Sequence, residues 1–387
     1  MKRIIIKQTL IIFVAFVIAI IAFEFVLQNF FPKRFTSDFH QSKYNLPVVL
    51  RPNLDITIDY YNYYLYPPFR LQTNSKHFLN DREFEYEKPK NVFRILVLGS
   101  STLMGLGVEN SELFSKNLEK ILNQKSNNKK IEVINFSGLA WSILEFYTFL
   151  KSEGLKYNPD LVIVSQNAND FRVEYNNFVE VNKIKIEKLS NGKIKFDLGE
   201  LKINSLVNDP ISIMWEWVRK LPFYLEVSRS SQIFYHIRSK INELWYKQPP
   251  RISKSKQLGS YLENEGIDIS ENTIFSLKSN QFFINPEGHN ILSFAKIYNK
   301  NMYAAKANII LHSAIQVKIS QLLDELNSKF LVIDVPPREE VIGLIKTKKT
   351  RVINSNLKNY YYINPMVTFK KFQTNNIETP LYFLVHD

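Results

Sequence analysis

Cysteine is absent from this chain of 387 residues. That absence excludes disulfide bonds and thiolate metal sites, and it is compatible with export. Other metal ligands are not suggested either, because no two of the six histidines have ligand spacing and the sequence has no cluster of acidic residues. We therefore predict no metal and no other cofactor. No internal repeat is present, so the length allows one large domain with additions or two small domains.

A compact basic motif with interleaved aromatic residues is also missing. The net charge is +13, which by itself would suggest nucleic acid, but the lysines are scattered along the chain. We therefore predict no nucleic-acid partner. A basic surface that faces anionic lipid or an acidic polysaccharide remains an alternative explanation of the charge.

Polar residues are rare between Ile4 and Leu27. Only four interrupt the apolar run: Lys7, Gln8, Thr9 and Glu24. A helix of about 24 residues with a rise of ~1.5 Å per residue can cross a hydrocarbon core of about 30 Å. Three basic residues lie on its N-terminal side: Lys2, Arg3 and Lys7. They favour a cytoplasmic N-terminus, although two basic residues also follow the run.

A cleaved signal peptide is the alternative, but no small-x-small cleavage site follows the apolar run. Ala19 and Ala22 are spaced wrongly for such a site and lie inside the run. We therefore predict an uncleaved transmembrane anchor over residues 4–27, an irregular, aromatic-rich connector over residues 28–70 and a globular domain over residues 71–387. The connector and the domain would lie outside the cytoplasm, in the periplasm or at the cell surface.

From residue 92 onwards, apolar strand patterns alternate with helical patterns. Strands are predicted at residues 93–98, 131–135, 160–164 and 330–335. Helical spacing of apolar residues begins at Phe114 and Ile143, and a longer helical pattern runs from Leu311 to Leu326. This alternation predicts a parallel sheet with helices on both faces.

Residues 175–290 interrupt the alternation. Asn191-Gly192 lies between two runs of alternating apolar residues, which predicts a hairpin with a type I′ turn, because that turn needs positive φ at both positions. Residues 205–275 are typical of a mostly helical insertion, either a lid or a membrane-proximal face. Three tryptophans lie in it: Trp215, Trp217 and Trp245.

Three of the predicted strands end in small or polar residues. The segments are Gly99-Ser100-Ser101-Thr102, Asn135 to Ala140, and Asn167-Ala168-Asn169-Asp170. Ligand sites of open α/β sheets lie at the carboxyl ends of strands, so we expect a site here. A serine in such a turn can expose its hydroxyl group at the start of a helix, where backbone N–H groups favour negative charge. Ser101 could instead be a helix N-cap, a role that Ser100 or Thr102 could also fill.

Together these segments resemble the sequence blocks of the SGNH/GDSL hydrolase superfamily. The Gly-Asp-Ser block matches Gly99-Ser100-Ser101. The second block, an Asn followed five residues later by a Gly, matches Asn135 and Ala140. The third block, Gly-x-Asn-Asp, matches Asn167-Ala168-Asn169-Asp170. Upstream, two segments resemble one found in membrane-anchored members: Leu71-Gln72-Thr73-Asn74-Ser75 and Asp81-Arg82-Glu83.

The resemblance covers about residues 70–172 and resumes near residue 330. It implies a flavodoxin-like three-layer α/β sandwich with a parallel central sheet. It also implies that Ser101 is the nucleophile, and that the oxyanion donors are the N–H groups of Ser101 and Ala140 and the side chain of Asn169. Ala140 replaces the family's Gly but keeps its N–H group, and Gly138 is an alternative donor if the match slips. Ser100 replaces the family's Asp.

The family's base and the residue that orients it belong to a late Asp-x-x-His block. Leu381–Val385 resembles the strand that leads into this block, which places Asp387 in the Asp position, and the His expected three residues later is not in this sequence. We therefore expect a chain interrupted within the block, with little activity as it stands. Residues 285–289 resemble the tail of the block but in the wrong order along the chain, so we interpret them as a loop.

No other histidine is an evident substitute for this base, and His77, His236, His289 and His312 are interpreted as ordinary residues. The resemblance thus implies a serine esterase or O-acyl transferase. The inferred location favours an acyl ester of an envelope carbohydrate as the substrate, with a lipid or a small acyl ester as alternatives. The competing hypothesis is a non-catalytic, membrane-tethered carbohydrate-binding module on the same scaffold.

Overall fold

The structure is a computed structural model in which two compact units are formed. One unit contains residues 1–41 and 208–250, and the other contains residues 42–207 and 251–387. The residues that the structure describes are 2–30, 40–58, 68–105, 107–139, 141–166, 185–199, 201, 214, 217–218, 221, 231, 233–234, 237, 240–241, 254–265, 275–276, 281–284, 302–335, 357–365, 368–369 and 371.

Helices and strands alternate along most of the second unit. In chain order the strands are β1 (His40–Lys43), β2 (Leu46–Leu50), β3 (Asp55–Ile58), β4 (Phe69–Gln72), β5 (Val92–Gly99), β6 (Lys130–Ser137), β7 (Leu161–Gln166), β8 (Lys185–Lys188), β9 (Ile194–Asp197), β10 (Phe275–Ser276), β11 (Gln281–Ile284), β12 (Lys329–Asp334) and β13 (Tyr360–Ile363). The α-helices are α1 (Lys2–Phe30), α2 (Ser101–Met104), α3 (Phe114–Lys125), α4 (Ile143–Ser152), α5 (Lys254–Asn264) and α6 (Met302–Asp324). Two 3-10 helices span Asn110–Glu112 and Gly154–Tyr157.

The first unit contains the apolar helix α1. Its segment Lys7–Leu27 has a mean hydropathy of 3.1, and α1 is the one helix among the described residues that is long and apolar enough to cross a membrane. The predicted apolar helix is therefore present. Length and composition are the basis of this assignment, and a signal sequence would satisfy the same criteria.

A five-stranded sheet forms the centre of the second unit. Its strands lie in the order β13-β12-β7-β5-β6, and every neighbouring pair is parallel. Numbered by their position along the chain, these five strands have the order 2-1-3-4-5. The order reverses between β5 and β7, and the carboxyl ends of the strands at such a reversal are where doubly wound sheets bind ligands.

Side chains of the central sheet alternate between two covered faces. Leu96 and Leu98 pack in one buried cluster with residues of α4, α5 and α6. Ile95 and Val97 pack on the opposite face, against Leu118 of α3 among others. Because both faces are covered, the strands are continuous apolar runs, as is usual in parallel sheets. The predicted parallel sheet with helices on both faces is confirmed.

Four expectations about local structure need correction. Strands β1, β2 and β3 lie within the connector of residues 28–70, where irregular chain was predicted, and β4 begins in it at Phe69, so that β1 pairs with β2 and β3 with β4. Strand β6 continues two residues beyond Asn135, to Ser137. Helix α6 ends at Asp324, before Leu326, whose side chain is exposed. The fourth correction concerns the β8–β9 hairpin.

The predicted hairpin is present, but its turn is not type I′. Gly192 has φ of 78°, whereas Asn191 is not among the residues with positive φ. The N–H group of Gly192 donates to Leu189 O at 2.9 Å, and that of Leu189 donates to Lys193 O at 2.8 Å. These bonds enclose a three-residue loop that ends in a left-handed glycine, an arrangement that needs positive φ at only one position.

Candidate functional site

The turn from β5 into α2 positions Ser101. Ser100 is the N-cap of α2 and makes no side-chain capping bond, so Ser101 is the first helical residue rather than a cap. Its side chain is half-buried. Among the described residues, no hydrogen bond to the Ser101 hydroxyl group is found. Helix α2 is a single turn that ends at Gly105, with φ of 75°, so its dipole contributes little.

Gly99 allows the chain to turn this sharply. A Cβ atom at residue 99 would lie 2.5 Å from the Cβ atom of Leu103, which is closer than real contacts permit. The absent side chain therefore lets the first turn of α2 fold back onto the end of β5. Ser101 depends on this close approach for its position.

Asn135 connects the ends of neighbouring elements. It is fully buried, and its side-chain NH₂ group donates to Leu103 O and to Ser115 Oγ, both at 3.2 Å. Its Oδ1 atom accepts a hydrogen bond from Ser137 Oγ at 2.7 Å. The second sequence block therefore begins with a residue that fixes the α2 turn against β6 and α3.

Gly138 is not an available oxyanion donor. Its backbone N–H group donates to Gly99 O at 3.1 Å, which joins the ends of β5 and β6. A side chain at residue 138 would also overlap the ring of Trp141. The structure therefore offers the slipped match, which uses Gly138 in place of Ala140, no free N–H donor.

The upstream segment that resembles membrane-anchored members, residues 71–83, lies beside β6, the edge strand of the central sheet. The backbone N–H of Leu79 donates to Asn135 O at 3.0 Å. Asn74 Oδ1 accepts from the N–H of Phe78 at 2.9 Å, and Ser75 donates twice to the Glu83 carboxylate at 2.8 Å. These hydrogen bonds fix the conformation of the segment, which contacts β6 through Leu79.

His77 lies in that segment and is held as a structural residue. Its Nδ1 atom lies 2.8 Å from Leu50 O, its ring contacts Tyr44 edge-on, and its φ is 69°. Burial lowers the pKa of His77. The contact with Leu50 O offsets part of this decrease, and the nearby Lys43 ammonium group adds a smaller one. The ring is therefore neutral at pH 7 and committed to a backbone contact.

A buried polar cluster that the sequence analysis missed lies at the end of β7. Gln316 Nε2 donates to Gln166 Oε1 at 2.7 Å and lies 3.1 Å from His312 Nε2, while Tyr360 OH donates to Gln316 Oε1 at 3.4 Å. The nitrogen His312 Nε2 is 3.3 Å from Gln166 Oε1. His312 and both glutamines are fully buried.

Two further polar groups lie at the ends of β7 and β12. Tyr362 OH donates to the Asp334 carboxylate at 2.6 Å, and Asp334 pairs in register with Gln166. Ser165 Oγ and Gln166 Nε2 are buried and have no hydrogen-bond partner among the described residues. Polar residues at consecutive strand ends were the available signal, but only the β5, β6 and β7 ends were recognised, and those of β12 were not.

The remaining predicted site residues, Ala140, Asn169 and Asp387, lie outside the described residues, so their approach to Ser101 stays a prediction. Residues 285–289 also lie outside them. Among the described residues, no group of three or more His, Asp or Glu side chains could hold a metal ion. The chain matches no protein-family model and no curated protein.

Proposed function

We propose that this chain is a membrane-anchored serine esterase or O-acyl transferase of the SGNH type, with Ser101 as the nucleophile. The observation that carries the proposal is the position of Ser101. Its half-buried hydroxyl group follows the end of β5, at the reversal of strand order, and hydrogen bonds to no described residue. A nucleophile needs such a free, partly sheltered hydroxyl group beside a ligand site.

The finer fold belongs to the same proposal. We infer a flavodoxin-like three-layer sandwich of the SGNH type from the strand order 2-1-3-4-5 and from the coverage of both sheet faces. The position of Asn135 supports this inference, because the second block starts where β6 approaches the α2 turn. Fold alone does not carry the activity, which depends on the site.

In the proposed reaction, Ser101 Oγ attacks the carbonyl carbon of an acyl ester. The carbonyl oxygen, on which negative charge develops, would accept hydrogen bonds from the N–H groups of Ser101 and Ala140 and from the Asn169 side chain. Collapse of the intermediate breaks the C–O bond of the substrate ester, so that the alcohol leaves with the proton from the Ser101 hydroxyl group and the acyl group stays on Ser101 Oγ. Water or an acceptor hydroxyl group then attacks this acyl-serine ester and returns the proton to Ser101 Oγ. The inferred location outside the cytoplasm favours an envelope carbohydrate as the acyl carrier.

One observation favours a second candidate, a carbohydrate-binding module without turnover. Serine catalysis needs a base beside the nucleophile. Of the histidine side chains that the structure describes, His77 contacts Leu50 O and His312 contacts Gln166, and neither hydrogen bonds to Ser101. Apo sites can have loose catalytic contacts, so activity measurements have to separate the two candidates.

The test compares two variants of the full-length chain in detergent or nanodiscs. Hydrolysis of an aryl acetate and labelling by a fluorophosphonate probe would be measured for the native chain, for Ser101→Ala and for Thr102→Ala. Thr102 is exposed one residue further along α2, so it controls for changes to the helix. Because the His expected as the base is not in this chain, we expect slow hydrolysis and weak labelling by the native chain, loss of both in Ser101→Ala, and retention of both in Thr102→Ala.

Equal hydrolysis by the native chain and by Ser101→Ala would exclude Ser101 as the nucleophile. Carbohydrate binding that is unaffected by Ser101→Ala, in the absence of labelling, would favour the binding module.

We also propose that α1 anchors the chain with its N-terminus in the cytoplasm. Because the chain has no cysteine, each introduced cysteine is the only residue in it that a maleimide can label at its thiol. A membrane-impermeant maleimide applied to intact cells should label the exposed variant Asn127→Cys and leave Lys2→Cys unlabelled until the cells are lysed. The reverse labelling pattern would overturn this orientation.

A further inference from the structure

Glu24 is an acidic residue inside the apolar run of α1, close to the end of the run. Its Oε2 atom accepts hydrogen bonds from Ser231 Oγ at 3.1 Å and from the backbone N–H of Ile233 at 3.0 Å. Ser231 Oγ also accepts from the N–H of Phe234 at 3.1 Å, as a helix N-cap does. Glu24 therefore binds the start of a second helical segment, about 207 residues further along the chain.

The contact with Glu24 fixes the position of the second segment along the axis of α1. A carboxyl group within an apolar helix is costly unless hydrogen-bond donors satisfy it. Leu27, one turn after Glu24, is only 8% exposed, whereas Phe23, Phe25 and Val26 remain exposed on the other sides of α1. Glu24 and Leu27 thus lie on the least exposed side of α1 at the C-terminal end of the apolar run, and Glu24 contacts Ser231 and Ile233 there.

Residues 208–250 belong to the same compact unit as α1 and expose several large apolar side chains. Trp217 is 64% exposed and Ile237 is 55% exposed, and Met214 and Leu221 are exposed as well. Three of the four tryptophans of the chain fall within residues 208–250. Exposed apolar side chains concentrated in one region indicate an interaction surface rather than scattered exposure.

We propose that the described residues between 214 and 241, which expose Met214, Trp217, Leu221 and Ile237, belong to an interfacial membrane element whose exposed apolar side chains enter the leaflet from which the C-terminal end of α1 emerges. The ligand is the lipid bilayer, and the inference rests on the proposed anchoring by α1. Continuity with α1 selects this occupant over a protein partner, because Glu24 holds the segment where the apolar run ends. Tryptophan prefers this boundary, where its ring meets lipid and its N–H group meets water.

The experiment measures quenching of single tryptophans by brominated lipids. The full-length chain would be reconstituted in nanodiscs of lipids brominated near the headgroup, and separately of lipids brominated near the chain end. One variant keeps only Trp217 (Trp141→Phe, Trp215→Phe and Trp245→Phe). The matched control keeps only Trp141, which is 2% exposed in the second unit (Trp215→Phe, Trp217→Phe and Trp245→Phe).

We expect headgroup-proximal bromine to reduce Trp217 emission about twofold, and chain-end bromine to reduce it less, because an interfacial ring lies at headgroup depth. Trp141 should be unaffected. In the Trp217 background, Glu24→Leu should weaken the quenching by releasing the segment, while Glu24→Gln should retain it, because the amide oxygen still accepts hydrogen bonds. Both variants should remain in the membrane fraction.

Unquenched Trp217 in a chain that resists extraction by alkaline carbonate would overturn this inference and leave the anchor intact. Emission from Trp217 that depends on the protein-to-lipid ratio would likewise overturn it, since a second copy would then cover the surface. Release of the native chain by alkaline carbonate would instead contradict the anchoring by α1.

Discussion

At the scale of single residues, the geometry around Ser101 depends on side chains that are absent or buried. Gly99 lets α2 fold against β5, and Asn135 uses both ends of its amide to join α2, β6 and α3. Neither residue is a candidate for chemistry. Their role is to hold the turn that carries the hydroxyl group, so their substitution should affect stability and Ser101 reactivity together.

Gly99→Ala should destabilise the protein by about 1–3 kcal/mol, because the added methyl group overlaps Leu103 and forces the backbone to move. Urea unfolding measures this loss, and fluorophosphonate labelling of Ser101 should fall in parallel. Gly192→Ala is the matched control, since space is open around that glycine and the cost is limited to about 1 kcal/mol of backbone strain at φ of 78°. Equal effects of the two substitutions on labelling would contradict the proposed role of Gly99.

His77 should make stability depend on pH. Because burial lowers the pKa of His77, the unfolded chain binds a proton near pH 6.5, its ordinary value, whereas the folded protein does so only at lower pH. The contribution of neutral His77 to the free energy of unfolding is therefore fully present above about pH 6.5, and it is lost as the pH falls below that value. Asparagine tolerates positive φ, so His77→Asn should keep the backbone and flatten this part of the profile.

The measurement for His77 is the free energy of unfolding between about pH 7 and pH 5. Carboxylates also titrate towards the lower end of this pH range. The informative quantity is therefore the difference in the free energy of unfolding between the native chain and His77→Asn at each pH. Identical slopes for the two proteins would show that His77 does not carry the effect.

At the scale of elements, α4 begins with a buried capping box. Ser142 Oγ accepts from the N–H of Leu144, and Glu145 accepts from the N–H and hydroxyl groups of Ser142 at 2.8 and 2.6 Å. All three residues are buried beneath the sheet face that carries Leu96. The cap thus satisfies backbone N–H groups that water cannot reach, and it fixes the residue at which α4 begins after the end of β6.

Ser142→Ala should therefore lower the free energy of unfolding by about 1–2 kcal/mol, at the upper end of the range for N-caps, because the site is buried. Thermal or urea denaturation measures the loss. Ser190→Ala, in the exposed hairpin loop, is the control and should change stability by less than about 0.5 kcal/mol. A loss as small as that of the control would mean that the capping box contributes little.

At the scale of the whole molecule, the central sheet should be the most stable part of the second unit. Strands β5 and β7 have a parallel neighbour on each side and buried side chains on both faces. Strands β8 and β9 belong to a separate antiparallel sheet, and β8 lies at its edge. Local opening is easier where fewer buried contacts have to be broken.

Hydrogen exchange of the full-length chain in nanodiscs should reveal this hierarchy. We expect the amides of 93–98 and 161–166 to exchange about tenfold or more slowly than those of 185–188. Similar protection of the two regions would contradict the sheet assignment, because edge strands of a small separate sheet should not share the stability of the main core.

Local patterns predicted much of the fold. The apolar runs of β5, β7 and β12 and the spacing in α4 and α6 could be recognised because each depends on neighbouring residues. Strand β13 was missed, since Tyr360–Ile363 is short and its side chains alternate between half-buried and exposed, with no continuous apolar run. The predicted strand Leu381–Val385 lies outside the described residues.

By itself the sequence determined an apolar N-terminal helix, parallel strands with polar ends, and Ser101 at the end of one of them. These features depend on composition and on periodicity over a few residues. Only the tertiary structure decided the strand order and the hydrogen bond from the Gly138 N–H group to Gly99 O. It also decided the contact of His312 with Gln166 and the contact of Glu24 with Ser231. The last two join residues 146 and 207 positions apart, and such contacts are set by the packing of the whole chain rather than by any local pattern.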